Sequence, residues 1–306
     1  MTEKMLIAEI FEIERYATKD GPGIRTVIFF KGCNLRCAWC QNPESQSLKK
    51  EVIFHKNLCK ACGRCMERCP EDAVHYDEDF GFITDSERCS ACGLCVENCI
   101  YDARAMMGQT YTPEGLFEEI KRDIPFFVES DGGITVSGGE PMLNTDFLKA
   151  FFKICREYGI HIAMETAGCV AYEKFEEIQD FVDLFFYDIK QLDSDVHEFW
   201  TGVRNEPILG NIKRLSDAGK RIIVRIPVIP CVNHTVEDQM KIYDFLKSLD
   251  IERVELLAYH RLGLGKYRGL GRQYKLESVE SLEQGDLENY VSLGKKMGLA
   301  IRAGSI

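Results

Sequence analysis

The sequence predicts an α/β protein, a partial, open parallel β/α barrel interrupted early by a small cysteine-rich insert. Three observations carry this. Beyond Tyr111, short β-favouring runs alternate with helical patterns five or six times, as a parallel sheet with crossover helices requires. Eleven of the 14 cysteines crowd between Cys33 and Cys99. Within that region Cys59, Cys62, Cys65 and Cys69 recur thirty positions later as Cys89, Cys92, Cys95 and Cys99, a fixed offset that marks a duplicated unit.

The elements follow in order. Thr26-Val27-Ile28-Phe29-Phe30 is a short apolar run and reads as a buried strand leading into the first cysteines. From about Glu51 to Met107 the text turns to eight cysteines, short apolar segments and many charges. This divides the chain into a barrel of residues 1–50 and 108–306 and an insert of residues 51–107. Thr112-Pro113-Glu114 opens a helix through Ile124 by cap and proline. Strands are expected at Gly133–Ser137, Ile160–Met164, Leu184–Ile189, Arg221–Val228 and Val254–Leu257. Helices are expected at Thr145–Tyr158, Tyr172–Ile178, Pro207–Ala218 and Val236–Ser248.

Composition narrows the function. A length of 306 residues suits two domains or one α/β barrel. The net charge of −11 repels phosphate backbones and argues against nucleic acid as a partner. No stretch approaches the ~18 apolar residues of a membrane span. Met1 to Tyr16 mixes Glu3, Lys4, Glu9, Glu12 and Glu14 into its apolar residues, unlike a signal or transit peptide. A cytoplasmic protein is expected, with its cysteines as thiols or metal ligands rather than disulfides.

Cys33-Asn34-Leu35-Arg36-Cys37-Ala38-Trp39-Cys40 places three thiols directly after a strand, with no fourth nearby. An electron-transfer [4Fe–4S] cluster normally has four cysteines. One thiolate short, a cluster keeps an open iron, the logic of a catalytic metal site. A zinc site completed by a distant His is the alternative. Ser137-Gly138-Gly139-Glu140-Pro141 ends a predicted strand, and its glycines let backbone approach a ligand closely. Asp188 and Lys190, two apart, face the same way, as a site pair or a plain ion pair. These groups fall at the carboxyl ends of strands, where α/β barrels keep their chemistry.

In the insert, Cys59-x2-Cys62-x2-Cys65-x3-Cys69-Pro70 matches the bacterial ferredoxin run, whose fourth cysteine ligates the other cluster. The second run has the same spacing, with Ile100 in place of proline. One cluster is therefore assigned to Cys59, Cys62, Cys65 and Cys99, the other to Cys89, Cys92, Cys95 and Cys69. Two zinc knuckles are the weaker alternative. Cys155, Cys169 and Cys231 read as buried or incidental thiols.

The C-x3-C-x2-C run, its aromatic residue and the Gly-Gly-Glu word resemble the radical S-adenosylmethionine (SAM) superfamily. Asp20-Gly21-Pro22-Gly23-Ile24-Arg25, Tyr187-Asp188-Ile189-Lys190 and Leu256-Leu257-Ala258-Tyr259-His260 are similar, within it, to the glycyl-radical-enzyme activating enzymes, kin of pyruvate formate-lyase activase. The resemblance spans essentially the whole chain. It implies a radical SAM barrel with a ferredoxin-like insert and three [4Fe–4S] clusters, one binding SAM and two auxiliary. It implies that Cys33, Cys37, Cys40 and Lys190 serve catalysis. Trp39, Cys40, Gln41, Gly138, Gly139, Glu140, Asp188, Ile189, Lys190 and His260 would hold SAM. Glu165 and Thr166 resemble the activase position of a monovalent cation, with Glu here in place of Asp. The implied reaction is reductive cleavage of SAM to methionine and a 5′-deoxyadenosyl radical, which takes a hydrogen from one glycine of a large glycyl radical enzyme. Flavodoxin or ferredoxin would supply the electron, and a monomer is expected. A radical SAM enzyme acting on a small molecule and a ferredoxin-like electron carrier are the other readings.

Overall fold

A computed structural model describes residues 6–304, so the outermost residues of the two predicted barrel segments, 1–5 and 305–306, lie outside it. The first two strands, β1 (Ala8–Ala17) and β2 (Arg25–Phe30), run antiparallel. β1 is not among the predicted strands: Ala8-Glu9-Ile10 alternates, but Phe11 follows Ile10 directly and the ladder slips between Ile10 and Glu12, which breaks the two-residue period.

The segment predicted as an insert begins with β3 (Glu51–Phe54) and ends with β6 (Arg104–Met107), paired antiparallel from Glu51 opposite Met107 to Phe54 opposite Arg104. Between them lie α1 (Arg64–Glu67), the hairpin of β4 (Val74–Asp77) and β5 (Gly81–Thr84), and α2 (Leu94–Glu97). The thirty-residue repeat is conformational as well as textual. Ala61 and Ala91, Gly63 and Gly93, and Asp72 and Asp102 all take left-handed backbone. Backbone amides meet matching sulfurs in both halves, Ala73 to Cys69 at 3.2 Å and Ala103 to Cys99 at 3.3 Å.

After β7 (Gln109–Tyr111), the Thr112 hydroxyl caps α3 (Pro113–Ile120) by accepting from the Gly115 amide at 3.1 Å. The predicted helix through Ile124 stops early. A tight turn at Lys121–Asp123 intervenes before α4 (Ile124–Ser130), because Pro125 lacks an N–H and its ring collides with the carbonyl one turn back. The chain then alternates: β8 (Gly133–Gly138), α5 (Thr145–Glu157), β9 (His161–Thr166), α6 (Tyr172–Ile178), β10 (Leu184–Asp188). Next come α7 (Ser194–Thr201), α8 (Glu206–Asp217), β11 (Ile222–Val228), α9 (Val236–Leu246) and β12 (Arg253–Ala258). α10 (Leu264–Gly269), α11 (Glu288–Lys296) and β13 (Ile301–Ala303) finish it. The predicted strands and helices lie within a residue or two of these bounds. α4, α7, α10, α11, β7, β13 and the individual elements of the cysteine-rich segment have no counterpart in the sequence reading.

One nine-stranded sheet results, in the order β13-β12-β11-β10-β9-β8-β2-β1-β7, parallel from β2 to β13 and open at both ends. Its outer face carries Ile134, Val136, Ile162, Met164, Phe185, Tyr187, Val224 and Ile226 against the helices. The alternate residues face inward. Ala163, Leu184, Phe186 and Ile223 fill the lumen with a small second core. Toward the carboxyl ends the inward positions turn polar: Ser137, Glu165, Asp188, Arg225 and Glu255. Asp188, Arg225 and Glu255 sit opposite one another on adjacent strands, so pleat and register set them on one face.

Candidate active site

A cavity of about 240 Å³ lies at the carboxyl ends of the parallel strands. Its wall brings together Cys33, Cys37, Trp39, Cys40, Gln41, Gly138, Gly139, Glu165, Thr166, Asp188 and Lys190. Glu140, Ile189 and His260 are not in that wall.

The cysteine loop is held from several sides. The Arg36 and Ala38 amides donate to the Thr201 and Trp200 carbonyls at the end of α7, at 2.6 and 3.0 Å. The Gly32 amide donates to the Ser45 carbonyl at 2.6 Å. Trp39, 6% exposed, packs with Ile229, Val232, Tyr259 and Tyr267. Gln41 reaches across to the β12 loop: its amide donates to the His260 carbonyl at 2.8 Å and its oxygen accepts from the Gly263 amide at 2.7 Å. His260 is half-buried, and that burial pushes its imidazole below the ordinary range.

The Gly138-Gly139 turn touches this loop backbone to backbone. Gly138 has φ +116°. The Gly139 amide donates to the Phe30 carbonyl and the Glu140 amide to the Gly32 carbonyl, both at 2.8 Å. Glu140 itself is fully buried and turned away from the cavity. Its carboxylate accepts from the Met142 amide (3.1 Å), the Thr166 hydroxyl (2.7 Å) and the Ala167 amide (2.9 Å). It therefore ties the β8 turn to the β9 turn, both of which wall the site. Burial pushes its pKa up, and these hydrogen bonds work against that. Glu140→Ala would strand buried donors at about 1–3 kcal/mol each. The expected loss is about 3 kcal/mol in a denaturant titration.

Lys190, 9% exposed, donates to Asp188 at 2.7 Å. Burial acts against its ammonium, but Asp188 and Cys37 outweigh it and hold Lys190 above its ordinary range. Sequence reasoning missed the neighbouring network. Arg225 pairs with Glu165, which also accepts from Ser137. It lies 3.5 Å from Glu255 and 4.0 Å from Asp20, with its guanidinium 4.0 Å from the centre of the Phe186 ring. Burial opposes its charge, but Glu165, Asp20, Glu255 and Asp188 outweigh it and keep Arg225 cationic. The available signal was an arginine amid Ile222-Ile223-Val224 and Ile226 in an otherwise apolar strand.

The donor set suits an iron–sulfur cube. Burial pushes the Cys33 and Cys37 thiols up to about 12, so thiolates there need a cation to offset the cost. Among the described residues no three of His, Cys, Asp and Glu converge on a single-ion position. A cube asks for less, since each thiolate takes a different iron. In the insert, Cys59, Cys62, Cys65 and Cys99 line one small cavity with Phe54, Phe82 and Arg104. Cys95 lies within electrostatic reach of Cys89 and Cys69, and Cys92 is exposed in the loop before α2. Cys155 is buried, Cys169 half-buried and Cys231 exposed.

Comparison with known proteins agrees with this arrangement. Residues 90–253 match the radical SAM superfamily, 19–74 a 4Fe-4S single cluster domain and 51–100 a 4Fe-4S dicluster domain. The chain is 42% identical to a trans-4-hydroxy-L-proline dehydratase activating enzyme of Clostridioides difficile, covering 91% of this chain and 93% of that protein. It is 38% identical to a choline trimethylamine-lyase activating enzyme of Oleidesulfovibrio alaskensis, covering 92% and 93%. A radical SAM methyltransferase from Sphaerobacter thermophilus shares the fold, with a TM-score of 0.53 at 11% identity over 98% of this chain and 77% of that one. Among the described residues no helix is long and apolar enough to cross a membrane. The chain belongs to the radical SAM superfamily and, within it, to the activating enzymes of glycyl radical enzymes.

Proposed function

We propose that Cys33, Cys37 and Cys40 hold a [4Fe–4S] cluster whose fourth iron takes SAM, and that the radical made there serves the glycine loop of a large partner enzyme. The observation that carries this is the cavity wall itself: three thiols, the Gly138-Gly139 turn, Thr166, Asp188 and Lys190 around one space at an open barrel mouth. When bound, a cluster one thiolate short supplies a free iron for the amino and carboxylate groups of SAM and one electron that splits the sulfonium into methionine and a 5′-deoxyadenosyl radical. The protein's part is positioning. The Gly138-Gly139 backbone takes the SAM ammonium. Lys190, held by Asp188, offers a fixed positive charge to the carboxylate. Gln41, whose side-chain amide also donates to the Trp39 carbonyl, fastens the His260 loop as a wall for the adenosyl group. A monovalent cation at Glu165 and Thr166 would compete with Arg225, which already neutralises Glu165.

Two further clusters complete the reading, on Cys59, Cys62, Cys65 and Cys99 and on Cys89, Cys92, Cys95 and Cys69, in an insert spanning 51–107. With four thiolates each they bind no substrate, and their part is either to carry electrons toward the SAM cluster or to dock the external donor, flavodoxin or ferredoxin. The supporting feature is the repeat, with amides aimed at matching sulfurs in both halves. The protein acts as a cytoplasmic monomer in an oxygen-free cell, since an open iron corner and a glycyl radical are both destroyed by oxygen. The partner is a dehydratase or lyase of the kind its relatives serve.

Anaerobic reconstitution with iron and sulfide, then dithionite and SAM, is expected to give about 12 irons per chain and to form methionine and 5′-deoxyadenosine. Added partner should then show a glycyl radical by electron paramagnetic resonance. Reduced, iron-loaded protein that never yields 5′-deoxyadenosine would overturn the proposal.

A further inference from the structure

We propose that Arg104 is a shared electrostatic partner of both auxiliary clusters, a positioning residue that makes each easier to reduce. This rests on the cluster assignment given above. Arg104 is 3% exposed, on β6 at the closing ladder of the insert. Its two terminal nitrogens are anchored, one donating to the Phe82 carbonyl at 2.8 Å and the other to the Thr84 hydroxyl. Its Nε has no partner although it is buried. The side chain lines the cavity bounded by Cys59, Cys62, Cys65 and Cys99, with the Phe54 ring 5.9 Å from the guanidinium carbon.

Two arguments converge. Among the described residues the guanidinium's hydrogen-bond partners are the Phe82 carbonyl and the Thr84 hydroxyl, with no carboxylate among them. A guanidinium this deeply buried without a counter-charge is costly. A cube held by four thiolates carries net negative charge. The guanidinium sits against Phe54 and Phe82, and those two residues share one small core with Cys59, Cys65 and Cys99 of the first proposed cluster and with Cys95 and Cys69 of the second. One buried cation therefore lies beside ligands of both proposed clusters. The planar fork explains why the residue is Arg: two nitrogens are spent on anchors, and the buried Nε–H is left without a protein partner in a cavity walled by cysteines. Hydrogen bonds to sulfur and local charge set the potential of such clusters. A fixed positive charge favours the reduced, more negative form.

The test is potentiometric titration of the reconstituted full chain, followed by electron paramagnetic resonance, for wild type, Arg104→Lys and Arg104→Met. Arg104→Met is expected to lower the reduced-to-oxidised ratio of the auxiliary clusters about tenfold at a given potential, a shift of about 59 mV for one electron. The SAM-binding cluster should not shift. Arg104→Lys, which keeps the charge, should move less. Unchanged auxiliary potentials in Arg104→Met overturn the proposal. If that variant loses its clusters, Arg104→Lys decides: a shift well below tenfold supports it, and a full tenfold fall overturns it. Wild type holding well under about 12 irons would instead mean that the cluster assignment itself has failed.

Discussion

Cys37→Ala is expected to abolish SAM cleavage, with 5′-deoxyadenosine production falling at least about a thousandfold, a modest share of what enzymes gain over uncatalysed reactions. The expected iron content drops from about 12 to about eight per chain, because the two proposed insert clusters draw on other cysteines. Cys37 lies in the cavity wall beside Lys190 and Asp188. Its loss removes a thiolate and also one of the negative groups that hold the Lys190 ammonium in place. The backbone should tolerate the change, since the loop is fastened through Arg36, Ala38 and Gly32 amides rather than through the Cys37 side chain. Iron analysis, the auxiliary-cluster signal and a SAM cleavage assay on one sample check this. Cleavage at the wild-type rate would mean that the protein is an electron carrier whose working cysteines all lie in the insert.

Gly139→Ala should have the next largest effect. A methyl group there would overlap the Gly32 carbonyl oxygen and come within 3.0 Å of the Ser45 carbonyl. Both contacts are backbone, so no side chain can swing aside. Relief requires separating the β8 turn from the loop that carries Cys33, at about 1–3 kcal/mol for overpacking and about 1 kcal/mol for the hydrogen bond from Glu140 to Gly32. Function should suffer more than stability, because a misplacement of about 1 Å can cost about 100-fold in rate. Gly210→Ala is the control: it sits within α8 and a methyl there meets nothing within 4 Å. A helix-interior Ala is favoured over Gly by about 1 kcal/mol, so that variant should be as stable as wild type or more so, with full activity. Equal SAM cleavage by both variants would show that close backbone contact at Gly139 is not what shapes the site.

Much was legible from the chain because ligand spacing is a local property. Three thiols within eight residues stay together however the rest folds, and so do the runs at Cys59–Cys69 and Cys89–Cys99. Strand and helix alternation is equally local, which is why the parallel sheet and its carboxyl-end site follow from it. Where a side chain points at a turn is not local. Glu140 reads as a ligand-facing member of a Gly-Gly-Glu word, yet it turns into the protein to hold Thr166 and Ala167, 26 and 27 residues away. The support that α7 gives the cysteine loop joins residues more than 160 positions apart, and no periodicity announces it.

By itself, then, the sequence determined the cluster-binding runs, the alternation that builds the sheet, and the strand ends where chemistry gathers, all through spacing along the chain. Only the tertiary structure decided which charged residues face inward and whom they meet. Register across β10, β11 and β12 sets Arg225 among Asp188, Glu255 and Glu165, and the β3–β6 ladder brings Arg104 against a small core that holds cysteines of both runs. The reason is electrostatic: a buried cation is stable only where distant parts of the chain deliver its counter-charges, and that delivery is a property of packing, not of any one segment.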